Sequence, residues 1–283
     1  MPAKLLEGKG YAEYIRQVVM EDYKGEIRPR IHIISIEPDE ASTVYVSQKI
    51  KAAEKWGIRV VWDVFTSDYS EDTIISHIER LGREDAVHGI IVQLPVPPEF
   101  DNNALIDAIN PDKDIDGLTA PNVGELSRYG FALYEPCTAS GIMYILSEAE
   151  IPITGKHVVI VGRSMLVGKP LVPMLLHHDA TVTVCHSKTE NLEAYTKTAD
   201  ILISATGVPG LITKDMVKPG ACVIDVGISR VNGKIVGDVD FENVKEVAGW
   251  ITPVPGGVGP MTVAMLMNNA YIARNMCTNF STL

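Results

Sequence analysis

A tyrosine and a lysine stand four positions apart in the segment "YVSQK", as Tyr45 and Lys49. In a helix this spacing puts both side chains on one face, one turn apart. A phenol hydroxyl and an amine that point at the same ligand are a combination suited to acid/base chemistry. The pair is therefore a candidate catalytic site, whose role depends on the elements that position it.

A glutamine extends this candidate site. The segment "ASTVYVSQKIKAAEKWG" has the spacing of a helix and follows the strand-like run "RIHIISI", while Gln93 ends another such run, "HGIIVQLP". Open α/β sheets bind their ligands at the carboxyl ends of the strands, so we expect Tyr45, Lys49 and Gln93 to converge there. Each also has a structural interpretation: a half-buried aromatic, a solvated charge and an amide that satisfies loop backbone.

A glycine-containing turn in "VVIVGRSMLVGKP" predicts a second site. A buried strand runs through this turn into a helix, the arrangement in which backbone amides hold a pyrophosphate. The strict GxGxxG pattern is not met, because Ser164 and Val167 occupy the second and third glycine positions. We predict that Gly162, Arg163, Ser164, Val167 and Gly168 contact a dinucleotide.

The end of the next predicted strand favours NADP over NAD. NAD sites usually place Asp or Glu there to bind the ribose hydroxyls. Here the segment reads "TVTVCHSKT", with His186, Ser187 and Lys188 and no carboxylate. Together with Arg163, Lys188 offers the positive charge that a 2′-phosphate requires. The alternative is that both cations are simply solvated.

Short β-branched runs alternate with helical patterns along the whole chain, which predicts parallel sheets with crossover helices. We expect two α/β domains, each a mostly parallel sheet with helices on both faces, the second Rossmann-like. The first covers 1–138 and is completed by a C-terminal helix at 260–283; the second covers 139–259. The Asn232-Gly233 dipeptide in "RVNGKIVG" predicts a hairpin in the second domain.

Composition excludes several classes of function. The 283 residues carry a formal net charge of -11, which argues against nucleic-acid binding. No apolar run is long enough for a membrane span or a signal peptide, so we expect a cytoplasmic protein. The four cysteines are widely separated and lack metal-ligand spacing, so we predict no metal site and buried thiols at Cys137, Cys185, Cys222 and Cys277.

The order of the motifs excludes one enzyme class. Short-chain dehydrogenases also carry a YxxxK pair, but their glycine-rich loop comes first and the pair follows it. Here Tyr45 and Lys49 precede the loop at Gly162 and lie in the other predicted domain. We therefore expect the pair to face a substrate and not the nicotinamide ribose.

Taken in order, eight motifs resemble the bifunctional methylenetetrahydrofolate dehydrogenase/methenyltetrahydrofolate cyclohydrolase family. They extend over nearly the whole chain: "ASTVYVSQK", "VQLPVP", "DKDIDGLTAPNVGEL", "PCTASG", "GRSMLVGKP", "ATVTVCHSKT", "ADILISATG" and "PVPGGVGPMTVAML". The resemblance implies NADP-dependent oxidation of methylenetetrahydrofolate, hydrolysis of the methenyl product to formyltetrahydrofolate, and a homodimer of two-domain α/β subunits.

The matching positions imply individual roles. Lys49 would be the central catalytic residue, Gln93 its partner, Tyr45 an aromatic wall against the folate and Asp116 the anchor of the pterin. A carboxylate suits that last role because it accepts from the paired N–H donors of the pterin edge. Without the resemblance, "DKDIDG" reads as an acidic turn in which Asp114 and Asp116 only bend the chain.

The family also implies which loops approach the ligands. Thr138 in "PCTASG", Gly207 in "SATG" and Ile228 would contact the cofactor, and Gly141 in "PCTASG" would line the cleft between the domains. The "PVPGG" loop would contact the substrate through Pro255, Gly256 and Gly257. The chain departs from the family at Ala139, where proline is usual, and in "IEPDEAS", where a glycine-containing loop is usual. Neither departure involves the proposed catalytic residues.

Two other functions remain open from the residues. A shikimate-type NADP-dependent dehydrogenase also has two α/β domains with the cofactor domain second, but leaves Asp116 and the Tyr45-Lys49-Gln93 trio needing another substrate. A non-catalytic NADP-binding sensor has no need of a lysine on the substrate side. Binding tests separate the three functions. Saturable folate binding indicates the folate enzyme, no folate binding indicates the shikimate type, and NADP binding without turnover indicates the sensor.

Overall fold

The computed structural model describes residues 2–23 and 27–279. The chain divides into two compact units. One, called here the six-stranded unit, comprises Met1–Tyr14 and Glu125–Thr262. The other, the three-stranded unit, comprises Ile15–Gly124 and Val263–Leu283. Each is therefore built from two separate stretches of sequence.

The strands of the described residues are β1 (Lys4–Leu5), β2 (Arg30–Ile36), β3 (Arg59–Phe65), β4 (Gly89–Val92), β5 (His157–Val161), β6 (Thr181–Cys185), β7 (Ile201–Ser204), β8 (Cys222–Asp225), β9 (Ser229–Val231), β10 (Lys234–Val236) and β11 (Trp250–Ile251). The helices are α1 (Gly8–Asp22), α2 (Glu40–Lys55), α3 (Glu71–Arg83), α4 (Asn102–Asp107), α5 (Ala120–Tyr129), α6 (Cys137–Glu148), α7 (Gly168–His177), α8 (Leu192–Thr196), α9 (Phe241–Val244) and α10 (Val258–Asn279). Short 3-10 turns lie at Pro111–Lys113 and Lys214–Met216.

The six-stranded unit contains a parallel sheet in the order β1-β11-β8-β7-β5-β6. Every residue of β7 and β8 is buried, as expected for parallel strands covered on both faces. The predicted hairpin is present as the antiparallel pair β9 and β10. Its turn uses Asn232 at φ 50° and Gly233 at φ 78°, the left-handed conformations that a two-residue turn requires.

The three-stranded unit has the parallel order β3-β2-β4, with β2 in the centre. Helix α2 begins where the carboxylate of Asp39 accepts the N–H of Ser42 at 2.7 Å, and Gly57 follows its end at φ 66°. The end of α10 packs within this unit: the hydroxyl of Tyr271 donates to the carbonyl of Trp56 at 2.5 Å. The side chain of Trp56 is buried in the core of this unit.

The predicted α/β class with mostly parallel sheets is confirmed. The division into functional domains at 138/139 and 259/260 stays a prediction. Cys137, Cys185 and Cys222 are buried free thiols, whereas the side chain of Cys277 lies outside the described part of the chain. Among the helices of the described residues, none combines the length and apolar character that a bilayer span requires.

Candidate functional site

Lys49 lies on α2, in the helix that follows the central strand β2. Its side chain is 8% exposed, and Nζ donates a hydrogen bond to Oε1 of Gln93 at 3.0 Å. The same Nζ lies 5.2 Å from the ring centroid of Tyr45, within the range of a cation–π contact. The three residues that the sequence predicts to converge therefore do so.

Gln93 is fixed by the strand that it follows. Its N–H donates to the carbonyl of Ile34 at 2.8 Å, which continues the pairing of β4 with β2. Its Nε2 donates to the carbonyl of Leu94 at 2.7 Å. Since a carbonyl accepts only from the NH2 side of the amide, this contact turns Oε1 toward Lys49.

Asp116 occupies a loop that Asp114 organises. Asp114 is fully buried and its carboxylate accepts three hydrogen bonds: from the N–H of Gly117 at 3.0 Å, the N–H of Thr119 at 2.8 Å and Nδ2 of Asn122 at 2.8 Å. Asp114 thus performs the turn-forming role that its position in "DKDIDG" suggests. The half-buried Asp116 lies between Asp114 and Gly117, which one of these hydrogen bonds joins.

The same loop is attached to β4. Asp114 forms a parallel bridge with Ile90, and the buried side chain of Ile115 packs on Gly89, where an added Cβ would lie 2.6 Å from its Cδ1. Nδ2 of Asn269, on α10, donates to the carbonyl of Ile115 at 2.9 Å. Asp116 is therefore anchored to the strand that ends at Gln93.

The predicted dinucleotide loop joins β5 to α7. Gly162 has φ 123°, and an added Cβ would lie 2.3 Å from the carbonyl oxygen of Ala205; at Gly168 it would lie 2.2 Å from the carbonyl oxygen of Gly162. Both positions exclude larger residues. Ser164 Oγ accepts the N–H of Val167 at 3.2 Å. Val167 is the N-cap residue of α7, and its side chain makes no capping hydrogen bond. The backbone approach and uncapped helix N-terminus fit a pyrophosphate.

Cationic residues follow two neighbouring strands of this sheet. Arg163 comes two residues after the end of β5, while Ser187 and Lys188 follow β6, and all three are exposed. His186 shapes the second turn: its Nδ1 accepts the N–H of Lys188 at 3.1 Å. Because β5 and β6 are adjacent and parallel, these side chains leave the same edge of the sheet beside the glycine loop. The charge there fits the 2′-phosphate of NADP.

The loops after β7 and β8 are joined to each other. Ser229 Oγ donates to the carbonyl of Gly207 at 3.0 Å, and Ile228, in the loop after β8, is exposed. Elsewhere in the six-stranded unit, Thr138 Oγ1 accepts from Thr262 Oγ1 at 3.1 Å.

Close packing surrounds the remaining predicted ligand loops. Gly141 packs on Met261, where a Cβ would lie 2.9 Å from the Cβ of Met261. Ala139, the family departure, is fully buried in the first turn of α6. The "PVPGG" loop closes with the N–H of Gly257 donating to the carbonyl of Pro253 at 2.8 Å, and Gly256 adopts φ 115°.

Two buried carboxylates of the six-stranded unit, at the end of β8 and after β10, were not predicted from the sequence. Asp225 ends β8 and is 2% exposed, and Asp238 follows β10 and is fully buried. Burial raises the pKa of Asp225 to about 6. The segments "VIDVG" and "VGDVD" read as a strand end and an acidic turn, and neither shows that the two side chains face the interior.

Comparisons with known proteins cover both units. Residues 6–116 match the model for the tetrahydrofolate dehydrogenase/cyclohydrolase catalytic domain, and residues 136–277 match that for its NAD(P)-binding domain. The chain is 50% identical over 278 residues to Bifunctional protein FolD of Methanospirillum hungatei, covering 98% of this chain and 99% of that protein.

Solved structures agree. The FolD methylenetetrahydrofolate dehydrogenase/cyclohydrolase of Campylobacter jejuni is 41% identical with a TM-score of 0.93, covering 97% of this chain and 99% of its own. The Trypanosoma brucei enzyme, complexed with NADP cofactor and inhibitor, is 37% identical with a TM-score of 0.92, covering 98% and 99%.

A shikimate 5-dehydrogenase of Thermus thermophilus shares only the fold, at 14% identity and a TM-score of 0.52 over 88% of this chain and 99% of its own. The two family models and the solved structures at 37% and 41% identity, in contrast, name the same pair of activities. The chain therefore belongs to the tetrahydrofolate dehydrogenase/cyclohydrolase family.

Proposed function

We propose that this protein oxidises methylenetetrahydrofolate to methenyltetrahydrofolate with NADP and then hydrolyses the methenyl product to 10-formyltetrahydrofolate. The observation that carries the proposal is the buried Lys49, bonded to Gln93 and stacked over Tyr45, in a chain whose two halves match the catalytic and NAD(P)-binding models of one family. A shikimate-type dehydrogenase and a sensor leave this trio without a function.

On the folate side, Asp116 accepts hydrogen bonds from the amino and ring N–H groups of the pterin, and Tyr45 forms an aromatic wall. The "PVPGG" loop, with Pro255, Gly256 and Gly257, contributes further substrate contacts. The fixed turn around Asp114 supports this assignment, because a loop held by three hydrogen bonds presents Asp116 in one orientation.

The hydrolytic step uses Lys49. Water adds its oxygen to the methenyl carbon and gives one proton to the amine of Lys49. The C–N5 bond of this adduct then breaks as the amine returns that proton to N5, and the added hydroxyl loses its remaining proton to solvent as it becomes the formyl carbonyl. Gln93 orients the amine by accepting one of its hydrogen bonds. Hydride transfer needs little acid/base help, so Lys49 is more important for hydrolysis than for oxidation.

NADP, when bound, accepts the hydride. The glycine loop from Gly162 to Gly168, with Arg163, Ser164 and Val167, holds its pyrophosphate, while Arg163, His186, Ser187 and Lys188 surround the 2′-phosphate. Thr138, Gly207 and Ile228 approach the nicotinamide end. The supporting observations are the backbone approach at both glycines and the exposed cations at the ends of β5 and β6.

We keep 1–138 with 260–283 as the folate-binding catalytic domain and 139–259 as the NADP-binding domain. We also propose a cytoplasmic homodimer without a nucleic-acid partner. Free buried cysteines suit a reducing compartment, and β3 is a sheet edge with Val64 exposed, the kind of edge that a second subunit can cover. Light scattering tests the homodimer, and cell fractionation tests the cytoplasmic location.

A spectrophotometric assay tests the function itself. Purified protein receives methylenetetrahydrofolate with NADP or NAD in parallel, and acid quenching traps the methenyl product. Turnover that prefers NADP is the expected result. Folded protein that turns over neither cofactor contradicts the proposal and favours one of the two alternatives.

A further inference from the structure

Asp238 ties down the turn that follows β7. One of its carboxylate oxygens, Oδ2, accepts three hydrogen bonds: from Ser204 Oγ at 2.9 Å, from the N–H of Thr206 at 2.6 Å and from Thr206 Oγ1 at 2.9 Å. The residue has no solvent exposure. Charge-assisted hydrogen bonds in a buried setting are among the strongest available to a side chain, so they fix the 204–206 turn.

The 204–206 turn lies directly against the dinucleotide loop. The carbonyl oxygen of Ala205 occupies the place beside Gly162 where a side chain would start, at 2.3 Å from an added Cβ. The carbonyl of Gly162 in turn fills the corresponding place beside Gly168, at 2.2 Å. A displacement of the turn is therefore transmitted through two backbone contacts to the N-terminus of α7.

A second buried carboxylate holds Asp238 itself. Asp225 accepts the N–H groups of Asp238 at 2.9 Å and Val239 at 3.0 Å, as well as that of Gly227 at 3.0 Å. An added Cβ at Gly237 would lie 1.9 Å from Asp225 Oδ2. The glycine thus leaves room for this carboxylate, and Asp225 fixes the backbone from which Asp238 reaches the turn.

We infer that Asp238 is a positioning residue of the dinucleotide site, acting through the 204–206 turn on the loop from Gly162 to Gly168. The inference rests on the proposed function, which makes this loop the NADP site. It assigns to Asp238 an effect on cofactor affinity that is separate from any effect on the folate-side chemistry of Lys49.

The test compares Asp238→Ala and Asp238→Asn with a control substitution that removes a similar number of hydrogen bonds elsewhere in the same unit. Asp200 provides the control, because its carboxylate accepts the N–H of His157 at 2.9 Å and Nζ of Lys218 at 2.7 Å, at the opposite ends of β5 and β7. Kinetic constants for NADP are measured alongside cyclohydrolase activity, which uses no dinucleotide. Thermal unfolding reports the folded fraction.

Asp238→Ala should raise the KM for NADP about tenfold or more, since it removes three acceptor contacts, while cyclohydrolase activity stays within about twofold. Asp238→Asn retains one acceptor oxygen and should raise the KM less. Asp200→Ala should lower the unfolding temperature and leave the KM for NADP unchanged.

An unchanged KM for NADP in folded Asp238→Ala overturns the inference. So does an equal loss of both activities that follows the folded fraction, since that is purely structural. If Asp238→Ala does not fold, Thr206→Val decides in its place: it removes one donor of the turn and should raise the KM for NADP without loss of cyclohydrolase activity, and an unchanged KM there also overturns the inference. NADPH binding, followed by its fluorescence, applies the same comparison even if the wild-type protein turns over no folate.

Discussion

Nζ of Lys49 donates to Oε1 of Gln93 at 3.0 Å, and the NH2 group of the same amide donates to the carbonyl of Leu94 at 2.7 Å. The contact with Leu94 thus orients the amide of Gln93. The amine of Lys49 is oriented in turn by this amide and by the ring of Tyr45. A long, flexible side chain has been reduced to one position, as a proton-transferring group requires.

Replacement of Lys49 by methionine should separate the two activities. The methionine preserves the apolar stem but removes the amine, so cyclohydrolase activity should fall about 100-fold or more, with a smaller loss in hydride transfer. Lys51→Met, at an exposed position on the same helix, is the control and should retain both activities. Full cyclohydrolase activity in Lys49→Met, measured from the decay of methenyltetrahydrofolate, would contradict the assignment of Lys49 to the hydrolytic step.

Asp114→Ala should weaken both the fold and folate binding. The change leaves three buried donors around residues 117–122 without their acceptor, which costs about 2–5 kcal/mol of unfolding free energy and releases the loop of Asp116. Asp112→Ala, at an exposed position in the same turn, should have little effect. Denaturant unfolding and a folate-binding titration check this prediction; unchanged folate affinity in the folded variant would contradict it.

The preference for NADP should depend on the cations after β5 and β6. Removing the charge of Arg163 and Lys188 together should raise the KM for NADP roughly 100-fold or more, because each charged hydrogen bond to a phosphate contributes about 1.5–3 kcal/mol, which is a factor of about 10 to 100 per cation. The KM for NAD should rise far less, because NAD has no 2′-phosphate for these cations to bind. Lys197→Ala, at the residue that follows α8, controls for the loss of positive charge. Equal effects on both cofactors would refute the assignment.

His88 should make the fold sensitive to acid. Burial, with the positive charges of Arg274 and Lys113, lowers its pKa to about 4, and its Nδ1 accepts the N–H of Arg30 at 3.0 Å. Since the folded pKa lies below the ordinary 6.5, the stability that neutral His88 contributes is present above pH 6.5 and is lost as the pH falls through 4. The loss amounts to about 3 kcal/mol.

Thermal unfolding of the wild type and His88→Asn between pH 7.5 and 4 measures this effect. The wild type should lose more stability over that range than the variant does. Exposed His178→Asn is the control and should follow the wild type. Parallel profiles for wild type and His88→Asn would contradict the prediction.

Asp225 should act in the opposite direction. Its pKa is about 6 in the folded protein because of burial, against 3.8 ordinarily, so the stability linked to its protonation is fully present below pH 3.8 and is lost as the pH rises through 6. The difference is about 3 kcal/mol. Asp225→Asn removes this dependence, whatever its effect on stability at a single pH. Unfolding profiles whose difference stays constant from pH 4 to 7.5 would exclude it.

Local patterns predicted the elements that carry a periodicity. The bounds of β2 and β6 coincide with the runs "RIHIISI" and "TVTVC", and the hairpin turn lies at Asn232-Gly233. The two-residue strands β1 and β11 are too short to show any alternation. They form because strands elsewhere in the sequence provide their hydrogen-bonding partners. A pattern of neighbouring residues cannot reveal such partners.

The same distinction applies to the candidate site. Tyr45 and Lys49 are found from helical spacing, and Gln93 from its place at a strand end. Asp238 reveals itself only through its partners Ser204 and Thr206, to which no spacing or strand-end pattern connects it. A buried carboxylate and a solvated one look alike until the tertiary structure shows which donors surround it.

Strand β1 has a consequence for the synthesis of the chain. Lys4 and Leu5 pair with Trp250 and Ile251, which come much later in the sequence. Because a ribosome makes the chain from the amino-terminal side, Lys4 and Leu5 wait until residues 250 and 251 have been made before their place in the sheet exists. We therefore expect nascent chains that stop before residue 250 to leave this edge open to proteases and chaperones, with closure among the last events of folding.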